Sequence, residues 1–164
     1  MVAESELATG VLLFLPYRAL ENRVFAALAE AGFDDFTPAQ ARVMQRIGPN
    51  GTRLTELAEQ AQVTKQTAGF LVDQLEKAGY VRRMPDPTDR RARLVCGAEK
   101  AWAAKEVADA VVADVEKEWE EHLGKRRMKQ LREALTLLRE ITDPWPRPAS
   151  NAVRRTAVAV RLRG

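Results

Sequence analysis

Cysteine and histidine occur once each, at Cys96 and His122, so the chain can form no internal disulfide. Nor can it assemble a zinc site or a histidine-based catalytic triad from its own residues, and neither metal nor cofactor is expected. Glycine is scarce too: nine residues against 26 alanines favour helix over sheet. Long hydrophobic runs are missing. The longest run of large apolar residues, Val11 to Leu15, stops at Pro16, far short of the ~20 residues of a membrane span. Glu4 and Glu6 stand where a secretory leader would carry Lys or Arg. These absences lead us to expect a cytoplasmic chain with no membrane partner and no enzymatic nucleophile–base pair.

What is present is an ordinary globular balance, 46% hydrophobic and 30% charged over 164 residues, the size of one domain. The net charge of +3 is unevenly placed. Residues 147–164 hold Arg147, Arg154, Arg155, Arg161 and Arg163 and no acid, so residues 1–146 alone sum to about −2. We therefore separate a single folded unit, 1–146, from a basic C-terminal tail, 147–164. The tail is either an arm that binds phosphates or a solvated end whose Val158, Val160 and Leu162 pack against the body.

Along the chain, Leu7 to Ala31 has helical apolar spacing and a stop at Gly32, with Pro16 implying a kink or an effective start there. Thr37-Pro38 opens a second helix that should end near Ile47 and Gly48. Leu54 to Ala61, capped by Thr52 or Thr55, and Thr64 to Ala78, capped by Thr64, read as two short helices. Val81 to Met84 and Arg93 to Cys96 then flank the turn Pro85-Asp86-Pro87-Thr88-Asp89 as a hairpin, the one convincing sheet. Two helices follow, Glu99 to about His122 and Lys125 to Thr142, divided by Gly124.

The pair of short helices has the spacing of a helix-turn-helix, with Leu57, Ala58, Val63, Ala68, Leu71, Val72 and Leu75 as its core. That assignment leaves Thr64, Lys65, Gln66, Thr67 and Phe70 on the outer face. Their amide, ammonium, hydroxyl and aromatic groups suit base edges, phosphates and a thymine methyl. Lys65 and Gln66, in the first turn, are placed to discriminate sequence. Directly afterwards the hairpin offers Arg83, Arg90, Arg91 and Arg93, and arginine favours the negative potential of a narrow minor groove.

From Leu7 to about Thr142 the sequence resembles the MarR family of bacterial transcriptional regulators. The likeness is sharpest at Val63-Thr-Lys-Gln-Thr, at Leu75-Glu-Lys-Ala-Gly-Tyr-Val81, and at Asp86-Pro-Thr-Asp-Arg-Arg-Ala-Arg-Leu-Val95. It implies a mainly α fold: a winged helix-turn-helix over 37–96 with a two-stranded β wing, and long dimerisation helices at 7–31 and 99–142. It further implies a homodimer on a pseudo-palindromic operator in double-stranded DNA, with Asp89 orienting the wing arginine Arg91. Two departures stand out. Gln62 occupies a turn position that is often glycine in the family, which calls for a left-handed backbone there. Cys96-Gly-Ala-Glu-Lys replaces the usual segment after the wing, which would shift the start of the fifth helix.

Phe14, Tyr17, Arg18, Arg42 and Trp102 lie on helices that surround a pocket in the family. They would suit a small aromatic acid, or else serve as ordinary core and dimer contacts. Cys96, at a strand end, reads as a small hydrophobe; peroxide-sensing relatives carry their cysteine near the first long helix, where this chain has none. The expected function is a dimeric DNA-binding regulator, a repressor released by a small-molecule, aromatic effector. The alternative is a winged-helix protein-interaction module without DNA binding.

Overall fold

The computed structural model describes residues 7–143, so the basic tail expected at 147–164 lies outside the described residues. Among the described residues the fold is mainly helical, with one small antiparallel sheet. In chain order the elements are α1 (Thr9–Glu30), α2 (Pro38–Met44), β1 (Thr52–Arg53), α3 (Leu54–Gln60), α4 (Lys65–Lys77), β2 (Val81–Asp86), β3 (Asp89–Gly97), α5 (Glu99–Leu123) and α6 (Lys125–Thr142). They form two compact units: residues 7–36 with 99–142, and residues 37–98 with Asp143.

In the first unit α1 and α6 both pack on α5. Leu28, Ala104, Val115 and Met128 are buried, and the rings of Phe25 and Phe36 meet at 5.7 Å in a tilted arrangement. Arg23 straps α1 to α5 through two bonds to Glu118, of 2.6 and 2.8 Å, and Lys100 reaches Asp35 at 2.6 Å. These pairs are solvent-exposed and set alignment more than stability. α1 runs unbroken through Pro16, so the helix does not start there. Proline sacrifices one backbone bond, to the carbonyl four residues back, and residues 11–19 are all exposed, where water can take that carbonyl. Gly32, in the left-handed region, ends α1 as expected, and Phe33 N–H donates to the Leu28 carbonyl. α5 starts at Glu99.

The second unit is built around α4, which packs on α2, α3 and β2. Thr37 and Gln40 form a reciprocal capping box: the Thr37 hydroxyl accepts from Gln40 N–H at 3.3 Å, and Gln40 Oε1 accepts from Thr37 N–H at 2.7 Å. The other end of that buried amide donates to Gln74 Oε1 at 2.9 Å. One side chain thus both starts α2 and ties it to α4. α2 ends at Met44, earlier than its spacing suggests, because the chain turns at residues 45 and 46 while Ile47 still reaches the core.

Neither Thr52 nor Thr55 caps α3. Arg53 holds the N-cap position without a side-chain bond. Thr52 is buried in β1, its hydroxyl accepting from Gly48 N–H at 2.9 Å and donating to the Arg46 carbonyl at 3.3 Å. The wing is the two-stranded hairpin β2–β3, and β1 adds a third strand to its sheet, in the order β1-β3-β2. Thr52 pairs with Val95 and Arg53 with Leu94, while Val81 to Pro85 pair with Gly97 to Arg93. A two-residue strand has no periodicity to read, which is why sequence spacing misses it.

Two backbone positions fix this arrangement. Gly51 has φ +87°, and a Cβ there would sit 2.6 Å from Cys96 Sγ and 3.0 Å from Leu94 Cβ, so β1 can approach β3 only with glycine before it. Gln62 adopts φ +55° at the end of α3, where Val63 N–H returns to the Ala58 carbonyl. The left-handed backbone expected at Gln62 is present. Leu57, Ala68, Val72, Leu75 and Tyr80 are fully enclosed, together with Val43, Ala58, Val81 and Val95. Val63 and Leu71 are half-buried.

Candidate nucleic-acid interface

Packing and exposure use different positions of α4. Ala68, Val72 and Leu75, at helical spacing, face the core. Thr64, Lys65, Gln66 and Thr67 are exposed, and Phe70 is 61% exposed, a large ring left in water. The Thr64 hydroxyl is partly committed: it accepts from Thr67 N–H at 3.1 Å as the helix cap and lies 2.8 Å from the Thr67 hydroxyl. Lys65, Gln66 and Phe70 are therefore the exposed residues on this face whose side chains are not committed to the helix itself.

The wing sorts its arginines by strand alternation. Arg83 pairs across the ladder with Val95, which is buried, so its side chain lies on the inner face. There its guanidinium meets Asp73 at 2.5 Å and Glu76, both on α4, and its N–H donates to Glu76 Oε1 at 2.9 Å. Expected as a DNA contact, Arg83 is instead turned onto the protein's own carboxylates. It clamps β2 to α4 and neutralises two acids carried by that helix. Arg90, Arg91 and Arg93 are exposed, and among the described residues no carboxylate pairs with them or with Lys65. Arg82, which motif reasoning passed over, is a further exposed cation, on the outward face of β2. Alternation from the buried Val81 would have found it.

The turn between β2 and β3 is organised around an acid, Asp86, and not around the wing arginines. Asp86 has a side chain only 5% exposed and accepts four hydrogen bonds, two on each oxygen. Oδ1 takes the Thr88 N–H at 2.8 Å and the Thr88 hydroxyl at 2.7 Å; Oδ2 takes Nε and Nη2 of Arg53 at 2.9 and 2.7 Å. The Thr88 hydroxyl, then its N–H, then Arg53 hold the Asp86 carboxyl well below its ordinary value, at about 2. Asp89, expected to orient Arg91, accepts the Arg91 N–H at 3.0 Å, so its contact is with the backbone of that residue. Neither Asp86 nor Arg53 stands out in the sequence as part of a site. The Asp-Pro-Thr spelling of an Asx turn marks Asp86 locally, but nothing local marks a partner 33 positions away.

A depressed carboxyl stabilises the fold only while ionised. The contribution of Asp86 is fully present above its ordinary value near 3.8 and is lost as pH falls through about 2. Asp86→Asn, which resembles the protonated form, should be less stable than the parent at neutral pH, and the gap should close between those two values. Denaturant unfolding of both proteins across that range measures it, and a constant gap would show that ionisation of Asp86 is irrelevant.

The residues expected to line a ligand pocket divide between the units. Phe14, Tyr17 and Arg18 on α1 and Trp102 on α5 belong to the first, Arg42 on α2 to the second. Arg18 lies 5.4 Å from the centre of the Phe14 ring, and Tyr17 donates to Glu21 at 3.1 Å. Phe14 and Tyr17 are exposed and Trp102 is half-buried. An open groove of about 680 Å³ follows α5 and α6 past Glu120, Met128, Arg132 and Thr136, and none of the five borders it. Cys96 is half-buried, and His122 is exposed near the end of α5. Among the described residues, no group of acidic, histidine and cysteine side chains is placed to hold a metal, and no helix is long and apolar enough to cross a membrane.

Comparison with known proteins agrees with this geometry. The model of the MarR family matches residues 36–92, which span α2 to the middle of β3. No curated protein sequence matches the chain. Among solved structures, a transcriptional regulator from Thermotoga maritima is 26% identical, with a TM-score of 0.58 over 83% of this chain and 94% of its own. The repressor CouR bound to a 23-mer DNA duplex is 27% identical, with a TM-score of 0.62 over 82% of this chain and 93% of its own. CouR from Rhodococcus jostii RHA1 bound to p-coumaroyl-CoA is 24% identical, with a TM-score of 0.65 over 89% and 99%. Residues 36–92 thus match the MarR family, and the chain shares the fold of these transcriptional regulators over the parts their structures cover.

Proposed function

We propose that the protein is a homodimeric, sequence-specific DNA-binding regulator, a repressor released by a small-molecule effector. One observation carries the DNA-binding part. The exposed face of α4 and the exposed edge of the wing gather Lys65, Gln66, Phe70, Arg82, Arg90, Arg91 and Arg93, and the described structure leaves their cations without carboxylate partners. Unpaired cations beside an amide and a bare aromatic ring fit phosphates, base edges and a thymine methyl. The likeness to CouR, solved on a DNA duplex, supports the same reading.

Dimerisation is proposed from the first unit, residues 7–36 and 99–142, with residues 37–96 as the DNA-binding part. Val11 to Leu15 of α1 are all exposed, and a helix apolar on every side is normally covered. On α6, Leu131, Ala134, Leu135, Leu137, Leu138 and Ile141 fall within one arc of about 160° at helical periodicity, with charged and hydroxyl groups opposite. A second copy would cover both surfaces. Such a dimer reads two half-sites about one DNA turn apart, ~34 Å, so a small change in the separation of its two α4 helices releases both. An aromatic effector such as the p-coumaroyl-CoA held by CouR would act by favouring the released spacing, and Phe14, Tyr17, Arg18 and Trp102 of the first unit are the residues proposed to meet it.

Selection of bound DNA from a random pool tests the reading. A two-fold symmetric consensus is expected, and absence of any enrichment would favour a protein-interaction module instead. On the selected DNA, Arg91→Ala should lose affinity by roughly 1–3 kcal/mol, the range for a groove-reading arginine, with the fold unchanged. Asp89→Ala should weaken binding too, less than additively with Arg91→Ala, since Asp89 holds the Arg91 backbone. Equal affinity of Arg91→Ala and the parent would remove the wing from the mechanism.

A further inference from the structure

We propose that Arg53 is a positioning residue for the wing: by clamping Asp86 it fixes the β2–β3 turn and thereby the placement of Arg90 and Arg91 toward DNA. The inference rests on the DNA-binding reading above and adds a residue that neither the helix-turn-helix nor the wing motif contains. Arg53 lies in β1, in register with Leu94 on β3, and its guanidinium crosses to the far end of the hairpin. Both of its bonds go to one oxygen of Asp86, leaving the other for the two Thr88 donors. It also lies 4.0 Å from Asp89, whose other oxygen accepts the Arg91 N–H.

Arg53 is therefore linked through both turn acids to the backbone N–H groups of Thr88 and Arg91, on either side of the start of β3. Ladder pairing alone does not achieve this, because the β2–β3 register is irregular between Pro85 and Asp86. Beyond that irregularity the ladder keeps one pair, Asp86 with Asp89, and side-chain bonds hold the rest of the turn, so that a wing tip without them would carry its arginines on a looser end.

An exposed arginine near DNA could instead touch phosphate itself, and the sign of one effect separates the two roles. Asp86→Asn removes a negative charge beside a polyanion. If Arg53 only contacts phosphate, that change leaves binding unchanged or strengthens it. If Arg53 positions the wing, the same change weakens binding, because the Asp86 anion is what Arg53 holds.

The test uses the full chain and a mixed-sequence DNA duplex at fixed salt, with Asp86→Asn, Arg53→Ala, Arg53→Lys, Arg91→Ala and the Asp86→Asn/Arg91→Ala double variant. Expected are losses on the order of tenfold for Asp86→Asn and Arg53→Ala, partial recovery in Arg53→Lys, and a double variant no weaker than Arg91→Ala alone. Amide exchange at Thr88 should accelerate in the same variants, and it reports the clamp in whichever of them folds. Unchanged or tighter binding by Asp86→Asn, or full additivity with Arg91→Ala, overturns the proposal while leaving DNA binding intact. A parent protein that binds neither this duplex nor any member of a random-sequence DNA pool overturns both.

Discussion

Replacing Leu137 and Ile141 together by aspartate is expected to leave a folded monomer that has lost operator binding by a hundredfold or more. These side chains are 64% and 82% exposed, so little apolar contact within the chain is given up, and substitutions on open surface usually stay within about 0.5 kcal/mol. A second copy packed on α6 would have to bury two carboxylates without partners, which costs several kcal/mol. Separation of the copies turns one bivalent event into two weak ones, and such linkage is worth on the order of 10² to 10⁴ in affinity. Sedimentation and DNA titration of the variant measure both consequences. A variant that still sediments as a dimer would move the interface off this face of α6.

Leu75→Ala should destabilise the second unit by about 2–5 kcal/mol, enough to unfold much of a marginally stable chain. Leu75 is fully enclosed where α4 packs on α2, α3 and β2, and its carbonyl accepts the Tyr80 N–H that closes the helix. Phe70→Ala, five residues earlier on the same helix, is the control. Its ring stands in water, so its loss should leave stability within about 0.5 kcal/mol and act on DNA binding alone. Denaturant unfolding of the two variants side by side decides the matter, and equal stabilities would mean the core of the unit is not centred on α4.

The helices were legible because their signals are local. Thr37-Pro38 and Gly32 mark boundaries, and the spacing of Ala68, Val72 and Leu75 marks the buried side of α4. The exposure of Lys65, Gln66, Thr67 and Phe70 follows from the same spacing. What sequence could not show depends on partners far along the chain. β1 exists because Thr52 and Arg53 pair with strand residues more than forty positions on, and Thr52 leaves its capping role for that reason. Arg83 reads as one more wing cation until the strand face it occupies turns it toward Asp73 and Glu76. Asp86 reads as a turn residue, and only the fold shows it holding Arg53.

The division of labour along α4 bears on how such a protein can diverge. Residues that pack, Ala68, Val72 and Leu75, and residues that stand outside, Lys65, Gln66 and Phe70, share no position on the helix. Drift at the outer set is then nearly neutral for folding, and selection can act on what is bound without first rescuing a damaged scaffold. After gene duplication, two copies of this chain could part ways in their DNA targets through three or four substitutions on one helix while remaining superimposable everywhere else.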